Sequence, residues 1–132
     1  MKKLFMLALL CLSFVASKAA PAMIYNNTNC DITVCVSCYD QNCNLVNVCP
    51  PSIACITVPA GTFAPFPTCP QCQVPPWSLA YTVCWASTKC SGICVTVAPP
   101  PNPCFPPQAV LPQCQCQQAA VYFDSGGNLI IQ

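Results

Sequence analysis

The sequence predicts an all-β fold, a disulfide-rich antiparallel β-sandwich of immunoglobulin-like type with about seven to nine strands and proline-rich loops. Three observations lead to this prediction. Several short segments alternate apolar and polar residues, 14 cysteines remain once an N-terminal export segment is set aside, and most of the 16 prolines fall in two stretches. No segment shows a convincing helical periodicity.

Residues 1–19 have the features of a cleaved signal peptide. Lys2 and Lys3 precede an apolar run of 12 residues, and small residues follow it, with cleavage expected after Ala19. The run is shorter than the roughly 20 residues of a membrane-spanning helix, so we expect no transmembrane segment. Cys11 lies inside the run without a small residue before it, which argues against lipid attachment. Residues 20–132 are then expected to form a single secreted or exported β domain.

The chain after the signal peptide is almost without charge. It retains Lys89 against Asp31, Asp40 and Asp124, a side-chain charge of −2, and the sequence contains no His, Arg or Glu. A surface with one lysine cannot neutralise a phosphate backbone, so nucleic acid is excluded as a partner. Without His, no ordinary side chain other than a free thiol titrates near neutral pH.

Alternation with a period of two marks the strands in order along the chain. It occurs in residues 23–26, 30–38, 45–48, 53–58, 79–86, 93–98, and in a hairpin formed by 121–124 and 129–132. In the fourth of these segments, Ala54, Ile56 and Val58 are expected to face inward. The proline-rich stretches 65–76 and 99–112 are expected to be extended loops or sheet edges, because proline cannot donate to a sheet ladder.

The cysteine count after the signal peptide is even, which is what a disulfide framework in an oxidising compartment requires. The expected disulfide residues are Cys30, Cys35, Cys38, Cys43, Cys49, Cys55, Cys69, Cys72, Cys84, Cys90, Cys94, Cys104, Cys114 and Cys116. They permit seven bridges, whose connectivity spacing alone does not determine. A domain of this length does not need seven bridges to fold, so the excess indicates durability.

The alternation also places several cysteines on one side of the sheets. Cys35, Cys55, Cys84 and Cys94 fall opposite the branched and aromatic residues of their strands, which predicts that bridges brace the outside of the sheets. Trp85 falls on the apolar face and is expected in the core.

Two cysteine spacings suggest other chemistry. Cys69 and Cys72 have the C-x-x-C spacing of thiol–disulfide oxidoreductases, but Pro75 and Pro76 prevent the helix that would activate the first thiol. Cys35-x-x-Cys38 with Cys69-x-x-Cys72 suggests zinc, but the intervening 30 residues exceed the usual gap of about 15 to 20. We therefore predict no metal and no cofactor.

No arrangement of residues indicates catalysis. A glycosidase would need two of the three separated aspartates to converge, and serine chemistry lacks a His, leaving only Lys89 near Ser87 and Ser91. We expect no catalytic residues. Asn26-Asn27-Thr28 matches a glycosylation sequon but carries no further prediction.

Three aromatic residues outside the predicted core are candidate binding residues. They are Tyr39 beside a strand end, Trp77 after the proline pair, and Tyr122 on the outward side of the last hairpin. Aromatic faces with amide neighbours such as Asn42, Gln73 and Gln118 suit a neutral sugar or a protein surface. The structural alternative is that these rings cover a loop and the sheet edges.

The segment Asn26-Asn27-x-x-Cys30-x-Ile32-x-Val34, followed by Val58-Pro59-Ala60-Gly61, resembles the first strands of thaumatin-like proteins. The likeness covers strand and turn positions only. The chain lacks the arginines and the acidic cleft of that family, so the resemblance implies no function here.

The sequence thus predicts a secreted, non-enzymatic structural protein associated with a cell surface, envelope or extracellular matrix, with itself as a further candidate partner. The reason is that a net charge near zero removes the repulsion that keeps proteins apart. The alternative is an extracellular binding module for a glycan or a protein, and a small secreted inhibitor or toxin is a third class.

Overall fold

The computed structural model describes residues 22–47, 49–70, 72 and 79–132, so the predicted signal peptide and Trp77 lie outside the described residues. The strands are β1 (Met23–Asn26), β2 (Ile32–Tyr39), β3 (Leu45–Asn47), β4 (Cys55–Val58), β5 (Phe63–Pro65), β6 (Leu79–Trp85), β7 (Cys94–Val97), β8 (Gln108–Leu111), β9 (Ala119–Phe123) and β10 (Leu129–Ile131). A one-turn helix α1 (Pro51–Ala54) precedes β4, and a 3₁₀ turn (Thr88–Cys90) joins β6 to β7.

Sheet A has the order β5-β1-β10-β9-β8. Its central pair, β1 and β10, is parallel, with Ile24 opposite Leu129, whereas its other pairs are antiparallel. β9 and β10 form the predicted hairpin, and Gly127 takes the positive φ of 80° that its turn requires. The first and last described strands of the chain therefore lie side by side.

Sheet B is built on β2, which pairs with β6 from Ile32 to Cys38, and β6 pairs with β7. The other edge of β2 is shared by two short strands, β3 at its Tyr39 end and β4 at its Ile32 end. Helix α1 lies between these two strands in the sequence. It begins at Pro51, where the fixed φ of proline suits the first helical position.

The core lies between the sheets and takes one face of every long strand. β2 alternates between buried and half-buried residues over its eight positions. The fully buried side chains include Ile24, Leu111, Val121, Leu129 and Ile131 from sheet A, and Ile32, Val34, Val58, Val83 and Val97 from sheet B. Trp85 is buried as predicted, and its indole Nε1 donates a hydrogen bond of 2.7 Å to the Pro112 carbonyl.

The all-β, disulfide-rich prediction is confirmed, and two details differ from it. The prediction of antiparallel pairing throughout is wrong for β1 and β10, because the two ends of the described chain meet at the centre of sheet A. Residues 53 and 54 are not strand, since the proline pair before them starts α1. The two sheets curl, and the immunoglobulin-like arrangement remains a prediction.

The proline-rich stretches supply the edges of sheet A. β5 contains Pro65 and β8 follows Pro106 and Pro107, and these two strands stand at the opposite ends of the sheet order. An edge strand has one side free of ladder hydrogen bonds, so it tolerates a residue without an N–H.

Seven disulfides join the 14 described cysteines. The pairs are Cys30–Cys116, Cys35–Cys55, Cys38–Cys72, Cys43–Cys104, Cys49–Cys69, Cys84–Cys94 and Cys90–Cys114. Two of them link directly opposed residues on the outer side of sheet B, as the alternation predicts. The protein is thus a small, disulfide-stabilised β protein of the kind found outside cells.

Candidate binding face on sheet A

The outward side of sheet A is largely apolar and uncharged, while its inward side packs into the core. We call it the sheet A face. It consists of Met23, Tyr25, Phe63, Pro65, Gln108, Val110, Ala120, Tyr122 and Ile130. Phe63 and Val110 are 63% and 56% exposed, among the largest exposures of big apolar side chains in the described chain. None of the nine side chains carries a charge.

The strand register lines up five of these residues in one row. Phe63 on β5 is opposite Tyr25 on β1, Tyr25 is opposite Ile130 on β10, Ile130 is opposite Tyr122 on β9, and Tyr122 is opposite Gln108 on β8. The rings of Tyr25 and Phe63 are in contact, with centroids 5.8 Å apart. Directly opposed side chains are close enough to present one continuous surface.

The outward side of sheet B has a different chemistry. Its strands present the bridges Cys35–Cys55 and Cys84–Cys94 together with threonines. The hydroxyls of Thr82 and Thr96 bond across β6 and β7 at 3.0 Å. Exposed large apolar side chains are not confined to sheet A, since Leu45 and Val46 on the edge strand β3 are 50% and 45% exposed and Ile53 of α1 is 43% exposed. The row of directly opposed aromatic and aliphatic side chains is a feature of sheet A.

An amide-lined cleft of about 270 Å³ adjoins the sheet A face. Its lining is Asn27, Thr28, Asn29, Gln115, Cys116, Gln117, Gln118 and Gln132. The Gln132 side-chain amide donates a hydrogen bond of 3.0 Å to the Tyr122 hydroxyl, which connects the cleft to the row. Amides both donate and accept, so this cleft can pair with neutral hydroxyl groups without burying a charge.

Two disulfides shape one wall of this cleft. Gln115 has a positive φ of 57°, which is unusual for a residue with a side chain. It lies between Cys114 and Cys116, whose backbones are hydrogen-bonded to each other as an isolated β-bridge. Cys114 is bonded to Cys90 and Cys116 to Cys30, so both flanks of Gln115 are anchored to other loops.

The predicted binding aromatics do not form one site among the described residues. Tyr122 belongs to the sheet A face. Tyr39 lies in sheet B and packs edge-on against Phe105, with centroids 4.7 Å apart. Sequence reasoning missed Tyr25 and Phe63, although the alternation of 23–26 around the buried Ile24 was a usable signal for Tyr25.

The three aspartates each hold a turn. The Asp31 carboxylate accepts from the Ala60 N–H at 2.9 Å, which joins the start of β2 to the turn after β4. The Asp40 carboxylate accepts from two backbone N–H groups, and the one of Asn44 is the main reason that its pKa is lowered. The side-chain amide of Asn128 is the main reason that the pKa of Asp124 is lowered.

Asn26, the acceptor of the glycosylation sequon, is fully buried. Its side-chain amide donates to the carbonyls of Cys30 at 2.8 Å and Val58 at 3.0 Å, and its oxygen accepts from the Thr28 hydroxyl at 2.7 Å. The folded chain has no room for a glycan on this nitrogen. Asn26 instead ties β1 to the end of β4.

The zinc arrangement considered from the sequence is not present. Cys35 and Cys38 are three residues apart on one strand, so their side chains point to opposite sides of sheet B. Cys35 bonds to Cys55 on the outside, whereas Cys38 is fully buried. Two cysteines with C-x-x-C spacing can bind one ion when they lie on a turn, but not when they lie on a strand, where their side chains face opposite sides.

Comparison with protein-family models finds no match, and comparisons with curated proteins and with solved structures find no significant similarity. Within the described residues, no helix is long and apolar enough to span a membrane.

Proposed function

We propose that the protein is a secreted, non-enzymatic structural protein of a cell surface, envelope or extracellular matrix, and that it assembles through the sheet A face. The observation that carries this proposal is the uncharged row from Phe63 to Gln108 across all five strands. Large exposed apolar patches on small proteins mark interaction sites.

A second copy of the chain fits this face by its chemistry. Two such faces bring no like charges together and bury no unpaired charge, and each Å² of apolar surface they cover contributes about 25 cal/mol. The same absence of charge makes the association insensitive to salt, in contrast to binding between charged surfaces.

The turn roles of the aspartates support a non-enzymatic protein. Each described carboxylate is bonded to backbone N–H groups of its own loop or a neighbouring turn, and the one described lysine is exposed on the 3₁₀ turn. General acid–base catalysis requires a free titratable group beside a substrate site. Asp31 lines a cavity of about 240 Å³, but its carboxylate is bonded to the Ala60 N–H.

Light scattering and sedimentation of the oxidised protein test the proposal. We expect concentration-dependent assembly that persists at high salt. A double variant, Phe63→Lys and Val110→Lys, places two charges on the sheet A face and should yield monomers. Gln41→Lys with Thr57→Lys adds the same two charges at exposed positions outside the sheet A face, so it is the matched control and should assemble like the parent. A strictly monomeric, highly soluble parent protein would contradict the proposal.

The second candidate function is glycan binding, and the amide-lined cleft is the observation that favours it. A neutral sugar could bond to Gln118 and Gln132 while stacking on Tyr122. A glycan array with Gln118→Ala and Tyr122→Ala should then lose signal, whereas Gln41→Ala, on an exposed turn, should not. Trp77→Ala, tested on the same array, shows whether this candidate binding residue from the sequence takes part in glycan binding. Glycan binding by monomers would favour this function over assembly.

A further inference from the structure

Four cysteines from separate parts of the chain converge at one place. Cys38 ends the buried face of β2, Cys49 precedes α1, and Cys69 and Cys72 lie in the loop after β5. The four sulfur atoms all lie within 4.8 Å of one another. We call them the four-sulfur cluster. No second group of three or more metal-ligating side chains lies so close together in the described part of the chain.

Once the two bridges are reduced, the four sulfurs are close enough together for one tetrahedral metal ion to reach all of them. Zinc–thiolate bonds of about 2.3 Å place the sulfurs of a tetrahedral site about 3.8 Å apart, which is inside the observed limit. Cys69 and Cys72 can direct their sulfurs toward one ion, which Cys35 and Cys38 on opposite sides of a strand cannot do. The Cys72 N–H donates to the Cys69 carbonyl at 2.9 Å, a hydrogen bond that holds the two cysteines close together.

Burial favours a defined site. Cys38 is inaccessible and Cys49 and Cys69 are nearly so, whereas Cys72 is partly exposed and leaves a way in for an ion. Soft thiolate ligands select zinc and related ions over calcium or magnesium.

We propose that the thiol form of the four-sulfur cluster binds one Zn²⁺ through Cys38, Cys49, Cys69 and Cys72. Four thiols release four protons as the ion is bound. In the oxidised protein the same sulfurs form the bridges Cys38–Cys72 and Cys49–Cys69. Oxidation of the zinc-bound form releases Zn²⁺, and each pair of thiolates gives two electrons to a disulfide of the oxidant, which takes two protons from solvent and becomes two thiols. The cluster thus has a metal-bound form before oxidation and a disulfide form after it.

The proposal is tested on the full chain reduced by a trialkylphosphine without air. Each disulfide takes two electrons and two protons, and the phosphine becomes its oxide with oxygen from water. Titration with Co²⁺ should give one tightly bound equivalent with the visible absorption of a tetrahedral thiolate site, and Zn²⁺ should displace it.

Two double variants make the test specific. Cys49→Ser with Cys69→Ser removes half of the four-sulfur cluster, and Cys35→Ser with Cys55→Ser removes an outer bridge of the same sequence separation, 20 residues. We expect the first variant to lose the tight equivalent and the second to retain it. Equal uptake by both, or no stoichiometric uptake by the parent chain, would overturn the proposal.

A measurement on the parent chain does not depend on how the variants fold. Zn²⁺ should slow alkylation of the four cluster cysteines, mapped by mass spectrometry, while the other ten described cysteines react at their rate without metal. If Zn²⁺ slowed the alkylation of other cysteines as much as that of these four, the proposal would also be overturned. Neither result bears on assembly through the sheet A face, which is measured on the oxidised protein.

Discussion

Cys35 and Cys55 lie directly opposite each other on the antiparallel strands β2 and β4, with their Cα atoms 4.0 Å apart. Cys84 and Cys94 are opposed in the same way on β6 and β7, at 4.2 Å. Both bridges therefore join strands that the sheet already holds together. Cys30–Cys116, by contrast, closes a separation of 86 residues between the beginning and the end of the described fold.

This difference predicts unequal effects of removing the bridges. Because the stabilisation from a bridge grows with the loop it closes, replacing Cys30 and Cys116 by Ser should lower the free energy of unfolding by about 4 to 5 kcal/mol. Replacing Cys84 and Cys94, which are 10 residues apart, should lower it by about 2 to 3 kcal/mol. Urea unfolding of the two double variants measures the order, and a reversed order would contradict the argument from chain entropy.

Resistance to proteases should depend on the bridges. The reduced and thiol-blocked protein should be digested much faster than the oxidised protein under the same conditions, because local opening exposes backbone to cleavage. Gel analysis over time measures the difference. Equal survival of the two forms would refute durability as the reason for seven bridges.

Asn26→Ala should be among the most destabilising single substitutions. It removes the hydrogen bonds that the buried side-chain amide donates to the carbonyls of Cys30 and Val58, at a cost of about 3 kcal/mol. The exposed Asn42→Ala is the control and should change stability by less than about 0.5 kcal/mol. Thermal unfolding of both variants checks this, and similar melting temperatures would contradict it.

Stability should fall in acid because of the turn carboxylates. The pKa of Asp124 is lowered in the folded protein from 3.8, mainly by the side-chain amide of Asn128. Its stabilising effect is complete above that unfolded value and is lost as the pH falls through the lower folded pKa. Urea midpoints between neutral pH and strong acid should therefore decline more steeply for the parent than for Asp124→Asn. Parallel curves would exclude this contribution.

Trp85→Phe tests the contribution of the indole hydrogen bond to stability. The substitution keeps an aromatic side chain in the core but leaves the Pro112 carbonyl without the indole N–H, so we expect a loss of about 1 to 3 kcal/mol. Urea unfolding measures the loss, and Tyr122→Phe on the sheet A face is the control with little expected change. An unchanged midpoint for Trp85→Phe would show that the bond contributes nothing.

Local pattern predicted much of this fold. The period of two identified β2, β6 and β7, put Trp85 in the core, and placed Cys35 and Cys84 on the outside. These features follow from the alternation of side chains along a strand, which is a property of neighbouring residues. The same pattern identified the last hairpin, because its turn lies within the segment.

Contacts between distant segments decided the rest. The parallel pairing of β1 with β10 joins residues about a hundred positions apart, and without it Tyr122 would not share a row with Tyr25 and Phe63. The partners of Cys38, Cys49, Cys69 and Cys72 depend in the same way on how the loops fold over the end of β2. The sequence by itself determined which residues alternate and that 14 of its 15 cysteines follow the predicted signal peptide. Only the tertiary structure decided which strands are neighbours beyond the last hairpin, because those pairing energies act between residues that are distant in the chain.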